Sequence, residues 1–213
     1  MFYDTLKCVA GEVGHVVYGA RVLTYLEDAV TSGAYWAGTL FPDIRHLGVV
    51  SRHKTHPEDV SLELLPGKND FYTGLRVHAW IDKTREKFWN EQNMKESLPW
   101  HPFVPHALKL YEDELVYEKF SGWDDVLQSL KTIYDDELFY VNERQQVQTW
   151  HDVLTNYLSA PPSDITRQAL SRAIGLSEHS AREVNTVVQR LKDHEPTGKI
   201  IEGFQRHLED LLK

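Results

Sequence analysis

Residues 70–92, DFYTGLRVHAWIDKTREKFWNEQ, carry the longest helical pattern in the chain. Phe71, Leu75, His78, Ile81, Asp82 and Arg85 fall along one side of a 3.6-residue period or its edges, and Asp70 is placed to act as N-cap. Working outward, the same period recurs. GHVVYGARVLTYLEDAV (14–30) repeats apolar residues at three- and four-residue spacing. GAYWAGTLF (33–41), capped by Thr31 or Ser32, stops at Pro42, which cannot continue a hydrogen-bond ladder. Residues 43–68 lack periodicity and read as loop with a turn of helix at 58–64. Helices are expected over 105–120, 123–139, 143–158, 163–174, 178–193 and 198–212. No strand alternates with these helices, so a doubly wound sheet is not expected. The expectation is all-α, with seven to ten helices at ~10–14 residues each.

A length of 213 residues suits one domain over 1–213, with the chemistry in 10–115 and the helices of 126–213 completing or covering it. A net charge of −9 argues against non-specific nucleic-acid binding, which needs a basic surface. Cys8 is the single cysteine, so no disulfide forms within the chain; it reads as buried and inert. Asp4, Lys7 and Glu12 interrupt any signal-peptide core, and no run approaches the ~20 apolar residues of a membrane span. The expected location is cytoplasmic.

Ligand-type residues gather in FPDIRHLGVVSRHKTH (41–56) and on the helix at 70–92. His78 and Asp82 lie four apart, one above the other on a helix face. Their bland reading is a simple hydrogen-bonded pair. Asp43 follows Pro42 at a helix end, a usual place for a turn residue. His56 precedes Pro57, which holds it extended. His46 and His53 read as supporting or surface residues. Glu12 and His15 form Glu-x-x-His, but no second such unit exists to build a di-iron bundle. The zincin, nucleophile-elbow, P-loop and dinucleotide motifs are absent. His151–Asp152 is a His-Asp doublet of the kind used by one class of helical phosphohydrolases, with His106 and Asp193 as its poorly spaced partners.

His15, then GTLFPD (38–43), RHKTH (52–56) and GLRVHAWID (74–82), in that order, resemble the helical zinc-dependent phospholipase C group. The same helix, with LYEDELVYEKFSGW (110–123), is similar to bacterial acyl-carrier-protein phosphodiesterases. This resemblance spans about residues 10–125. It implies a phospholipase C-like helical fold with His15, Asp43, His56, His78 and Asp82 as metal ligands, and Glu112 and Asp113 as further candidates. Imidazole and carboxylate donors suit Zn²⁺, Mn²⁺ or Fe²⁺, and two such ions about 4 Å apart could activate water against a phosphoester. Asp82 and Arg52 are the candidate catalytic residues. Arg45, Arg52 and Arg76 are candidates for pairing with the phosphate of a small anionic substrate. The rival expectations are a non-catalytic helical binding or scaffold protein with a structural polar cluster, and a phosphohydrolase centred on His151 and Asp152.

Overall fold

A computed structural model describes residues 10–26 and 32–213, apart from the side chains of Met94 and Lys95. The expectations for Cys8, the N-terminal segment and a Thr31 cap lie outside these residues. The described residues fold into helices, without a strand. In order these are α1 (Glu12–Tyr25), α2 (Ala34–Leu40), α3 (Arg52–Thr55), α4 (Asp70–Glu91), α5 (Met94–Ser97), α6 (Val104–Val116), α7 (Trp123–Ser129), α8 (Asp135–Tyr140), α9 (Arg144–Leu158), α10 (Asp164–Ala173), α11 (Glu178–Asp193) and α12 (Glu195–Leu211). Short 3-10 turns cover Phe41–Leu47, Leu62–Leu64 and Tyr117–Lys119. The all-α expectation is met.

α1 is the central helix. It packs on α2, α4, α6 and α9, and Gly11 to Gly19 are buried on every side, as expected of a helix with no solvent face. α2 lies along α4 in the most extensive helix pairing of the fold. α6 bridges α1 to α11, while α12 returns to pack on α4. The C-terminal helices therefore close over the elements that carry the ligand-type residues.

Several boundaries differ from the sequence reading, each for a local reason. The N-cap of α4 is Asn69, not Asp70; its Oδ1 accepts from Tyr72 N at 2.9 Å. Pro42 ends α2 but does not open a loop. It sits in the first turn of the 3-10 segment Phe41–Leu47, which closes at Gly48 with φ +75°. The Leu40 carbonyl, left over at the end of α2, accepts from Trp150 Nε1 at 3.1 Å. Residues 123–139 split into α7 and α8. Glu137 reaches back to the Tyr134 N–H (2.9 Å) and forward to His151 Nε2 (2.7 Å), which fixes a new helix start. α12 begins at Glu195, with Pro196 in its first turn, where proline costs no hydrogen bond.

Candidate metal centre

The centre is built where α2 crosses α4. A Cβ placed on Gly74 would lie 2.2 Å from the Tyr35 carbonyl oxygen, and one on Gly38 would lie 2.0 Å from that of Phe71. Only glycine allows the two backbones to meet this closely. The approach brings the Thr39 carbonyl, in the last turn of α2, within 2.8 Å of His78 Nδ1. A carbonyl can only accept, so Nδ1 carries the proton and Nε2 carries the lone pair. His78 is fully buried, and burial pushes its pKa well below the ordinary histidine value, so the ring is neutral.

His56 is prepared in a similar way. It follows α3 in an extended conformation (φ −120°, ψ 93°) ahead of Pro57. Thr55 Oγ1 donates towards the carbonyls of Pro42 and Arg52, each at 3.3 Å, and lies 2.9 Å from His56 Nδ1. With its proton spent on a carbonyl, the hydroxyl accepts from Nδ1–H, leaving the Nε2 lone pair facing inward. His15, in the first turn of α1, stacks on His78 with ring centroids 3.6 Å apart and planes at 11°. The His56 ring stands at 83° to that of His78.

Asp82, one turn beyond His78, is the hub. Its Oδ1 accepts from Ala10 N at 3.2 Å and lies 3.3 Å from His15 Nε2. Its Oδ2 accepts from Arg52 Nη2 at 3.2 Å and lies 3.5 Å from His56 Nε2 and 3.8 Å from His78 Nε2. Burial works to raise this carboxyl, but hydrogen bonding at His15 opposes it, and the carboxyl is held well below the usual range. Asp43, in the 3-10 segment, pairs with Arg45 Nη2 at 2.9 Å and lies 3.5 Å from His46 Nε2. Burial opposes its ionisation too, and Arg45 and then His46 hold it ionised.

These side chains form two overlapping groups, His15–Asp43–His78 and His56–His78–Asp82, with ligand atoms within 4.8 Å of one another in each. The Nε2 atoms of His15, His56 and His78 are buried without a hydrogen-bond partner, although Asp82 lies 3.3–3.8 Å from each. Buried polar atoms are ordinarily satisfied, so three orphans gathered around one carboxylate are unusual. The His78 Nε2 lone pair facing the Asp82 carboxylate leaves two acceptors opposed with no proton between them. A cation resolves that conflict, and the residues fit one. Because Nδ1 is committed to Thr39, His78 can serve one ion only; Asp43 and Asp82 are the carboxylates able to bridge to a second.

The other candidates separate cleanly. Arg45 and Arg52 join the cluster, and Arg52 lines an open groove of about 610 Å³ together with His56 and Asp82. Arg76 does not join it: its guanidinium donates to the Asp59 carbonyl at 3.2 Å, outside the groove. Glu112 is held by Arg85 and by the Tyr18 hydroxyl at 2.6 Å, a structural ion pair. Asp113 accepts from Gly14 N at 2.8 Å and from the Tyr157 hydroxyl at 3.0 Å. It supplies from α6 the cap that Gly11 cannot give α1, and a Cβ on Gly11 would strike it at 2.5 Å. Burial raises the Asp113 carboxyl to about 7. Neither residue belongs to a ligand group among the described residues.

The His-Asp doublet is pulled apart. His151 points inward to Glu137, whereas Asp152 is exposed and accepts from Gln148 Nε2 at 2.9 Å. His106 hydrogen-bonds Ser171 Oγ at 3.0 Å, and Asp193 is exposed. The four do not converge. Sequence reasoning gave no role to Lys109 and discounted Glu12, yet both are buried beside Asp43 around a second cavity that His46 and His106 also line. The Glu12-x-x-His15 spacing was a usable signal for Glu12; LKLYEDEL offers none for Lys109, which looks there like a solvent-facing charge.

No protein-family model, curated protein or solved structure matches the chain. Among the described residues, no helix is long and apolar enough to cross a membrane.

Proposed function

We propose that the chain is a metal-dependent hydrolase acting on a phosphoester. The observation that carries this reading is His78: buried, neutral, pinned as an Nδ1–H donor by Thr39, with its free Nε2 aimed at an ionised carboxylate. That is the usual outer-shell arrangement of a metal-binding histidine. His15, Asp43, His56, His78 and Asp82 would hold the ion. The order of the motifs, with its resemblance to the phospholipase C and carrier-protein phosphodiesterase groups, supports the same reading. Mixed nitrogen and oxygen donors favour Zn²⁺, Mn²⁺ or Fe²⁺.

A divalent cation there supplies Lewis acidity, making water acidic enough to attack near neutral pH and polarising a phosphoryl oxygen. The chain's own groups do the rest. Arg52, a third exposed and lining the open groove, can turn from Asp82 to clamp a phosphoryl oxygen with two parallel N–H donors. Asp82 Oδ2 lies on the groove side and can orient the attacking water by accepting a hydrogen bond from it. The Ala10 N–H and the stacked His15 ring hold that carboxylate in place.

Elemental analysis after reconstitution with Zn²⁺, Mn²⁺ or Fe²⁺ tests the reading. At least one equivalent is expected in the native protein, with loss in both His78→Ala and His78→Gln. Metal-free native protein with an unaltered fold refutes it.

A further inference from the structure

The open groove beside the metal centre, of about 610 Å³, has room for much more than a phosphoryl group. Its floor is one face of α4, where Ala79, Asp82, Lys83 and Glu86 recur at three- and four-residue spacing. One wall is α3, with Arg52 and His53; the other is the segment 57–60. Two cations strap that segment to α4. Arg76 donates to the Asp59 carbonyl at 3.2 Å, and Lys83 to the Glu58 carbonyl at 3.5 Å. The Glu58 side chain therefore starts from a fixed backbone.

Two features of the lining define what the groove takes. No Phe, Tyr or Trp ring lines it, and its apolar contributors are only Pro57, Val60 and Ala79. Small-molecule sites are ordinarily lined by apolar and aromatic side chains. Here an acyl chain finds little apolar surface to bury, and a nucleobase finds no ring to stack on. In their place, Glu58 and Glu86 offer carboxylate acceptors, and Lys83 and His53 offer donors. The two carboxylates repel a second anion, and Lys83, in the same stretch, repels a cation. Hydroxyl groups, which are neutral and both donate and accept, match such a lining. Glu86 lies one helical turn past Asp82, about 6 Å along the axis. A three-carbon chain attached to a phosphoryl clamped by Arg52 covers that distance.

We infer that the groove binds the phosphoester of a short polyhydroxylated alcohol, with hydroxyls donating to Glu58 and Glu86 and the carbon backbone against Val60 and Ala79. That this ligand is the substrate rests on the hydrolase reading above.

Calorimetric binding to the metal-loaded protein tests this with 3,4-dihydroxybutylphosphonate and n-butylphosphonate. Neither has a hydrolysable P–O–C bond, and they differ only in two hydroxyls. The native protein should bind the dihydroxy compound at least about tenfold more tightly, since hydrogen bonds to ionised acceptors are the stronger kind. Glu58→Ala combined with Glu86→Ala should bring that ratio close to one and leave metal content unchanged. Glu58→Gln combined with Glu86→Gln, which keeps a carbonyl acceptor at each place, should retain part of the preference. Equal affinities in the native protein, a preference for n-butylphosphonate, or a ratio unaltered in the double alanine variant overturns the inference. With metal bound, those results remove the polyol and spare the hydrolase reading. A preference found in protein that takes up no metal, and lost in the double alanine variant, keeps the polyol groove and removes the hydrolase.

Discussion

Replacing Gly74 by alanine tests whether the close approach of α2 and α4 creates the centre. In an ordinary helix this change is favourable by ~1 kcal/mol. Here the new Cβ meets the Tyr35 carbonyl oxygen at 2.2 Å and Thr39 N at 2.7 Å, whereas real Cβ contacts stay above 3.0 Å. Both obstacles are backbone, so no rotamer change relieves them, and α2 must retreat by about 0.8 Å. A gap of that size forfeits roughly a quarter to a half of each dispersion contact across the pairing. Overpacking of this kind costs about 1–3 kcal/mol or more. With the lost contacts added and the helix propensity subtracted, the net cost is about 3 kcal/mol, a fall of roughly 6–12 °C in Tm for a chain of this size. The Thr39–His78 hydrogen bond should stretch with it, so metal affinity should fall alongside. Gly198→Ala is the control. In α12 the new Cβ meets only the Tyr111 hydroxyl, at 3.7 Å, so this variant should gain about 0.5–1 kcal/mol. Thermal unfolding of both variants, with metal analysis, decides the matter. If Gly74→Ala melts within about 2 °C of the native protein and keeps its metal, the close approach is not what positions His78.

Removing metal with a chelator should lower Tm, because an ion bound to the folded state alone stabilises it by mass action, about 2.7 kcal/mol at a free concentration 100 times Kd. An unchanged Tm after verified depletion counts against a folded-state site. His106 should make the protein acid-sensitive. Burial, with Lys109 and His46 nearby, lowers its pKa to about 3 from 6.5, so the unfolded chain takes up a proton where the folded chain refuses it. Its stabilising contribution is intact above pH 6.5 and is lost as the pH falls towards 3, to a ceiling on the order of 5 kcal/mol. His106→Gln should therefore show a shallower loss of Tm between pH 6 and 4; parallel curves would refute this. Asp152→Ala should change stability by less than about 0.5 kcal/mol and leave metal content intact, as befits an exposed residue. Metal loss in that variant would return attention to the doublet.

What could be read from the chain and what could not divide along a physical line. Helices were legible because burial imposes a 3.6-residue period, and α4, α6 and α9 each show it. The break between α7 and α8 was not, because it depends on Glu137 bonding both the Tyr134 N–H and His151, a partner from α9. The five ligand-type residues were picked out by motif order, yet the reason for the motif glycines appears only in three dimensions. Gly38 and Gly74 do not bend the chain; they remove the two Cβ atoms that would hold α2 off α4. The sequence likewise grouped Glu112 and Asp113 as neighbours with a common fate, but consecutive residues on a helix point about 100° apart. One meets Arg85 and the other meets the start of α1. Lys109 was the hardest to see, because a buried ammonium looks like any surface lysine until the helices around it are placed. The residues that a period or a spacing can reveal are those whose partners lie within one element. Asp82, gathering Ala10, His15, Arg52 and His56 from outside its own helix, acquires its meaning only when the fold closes.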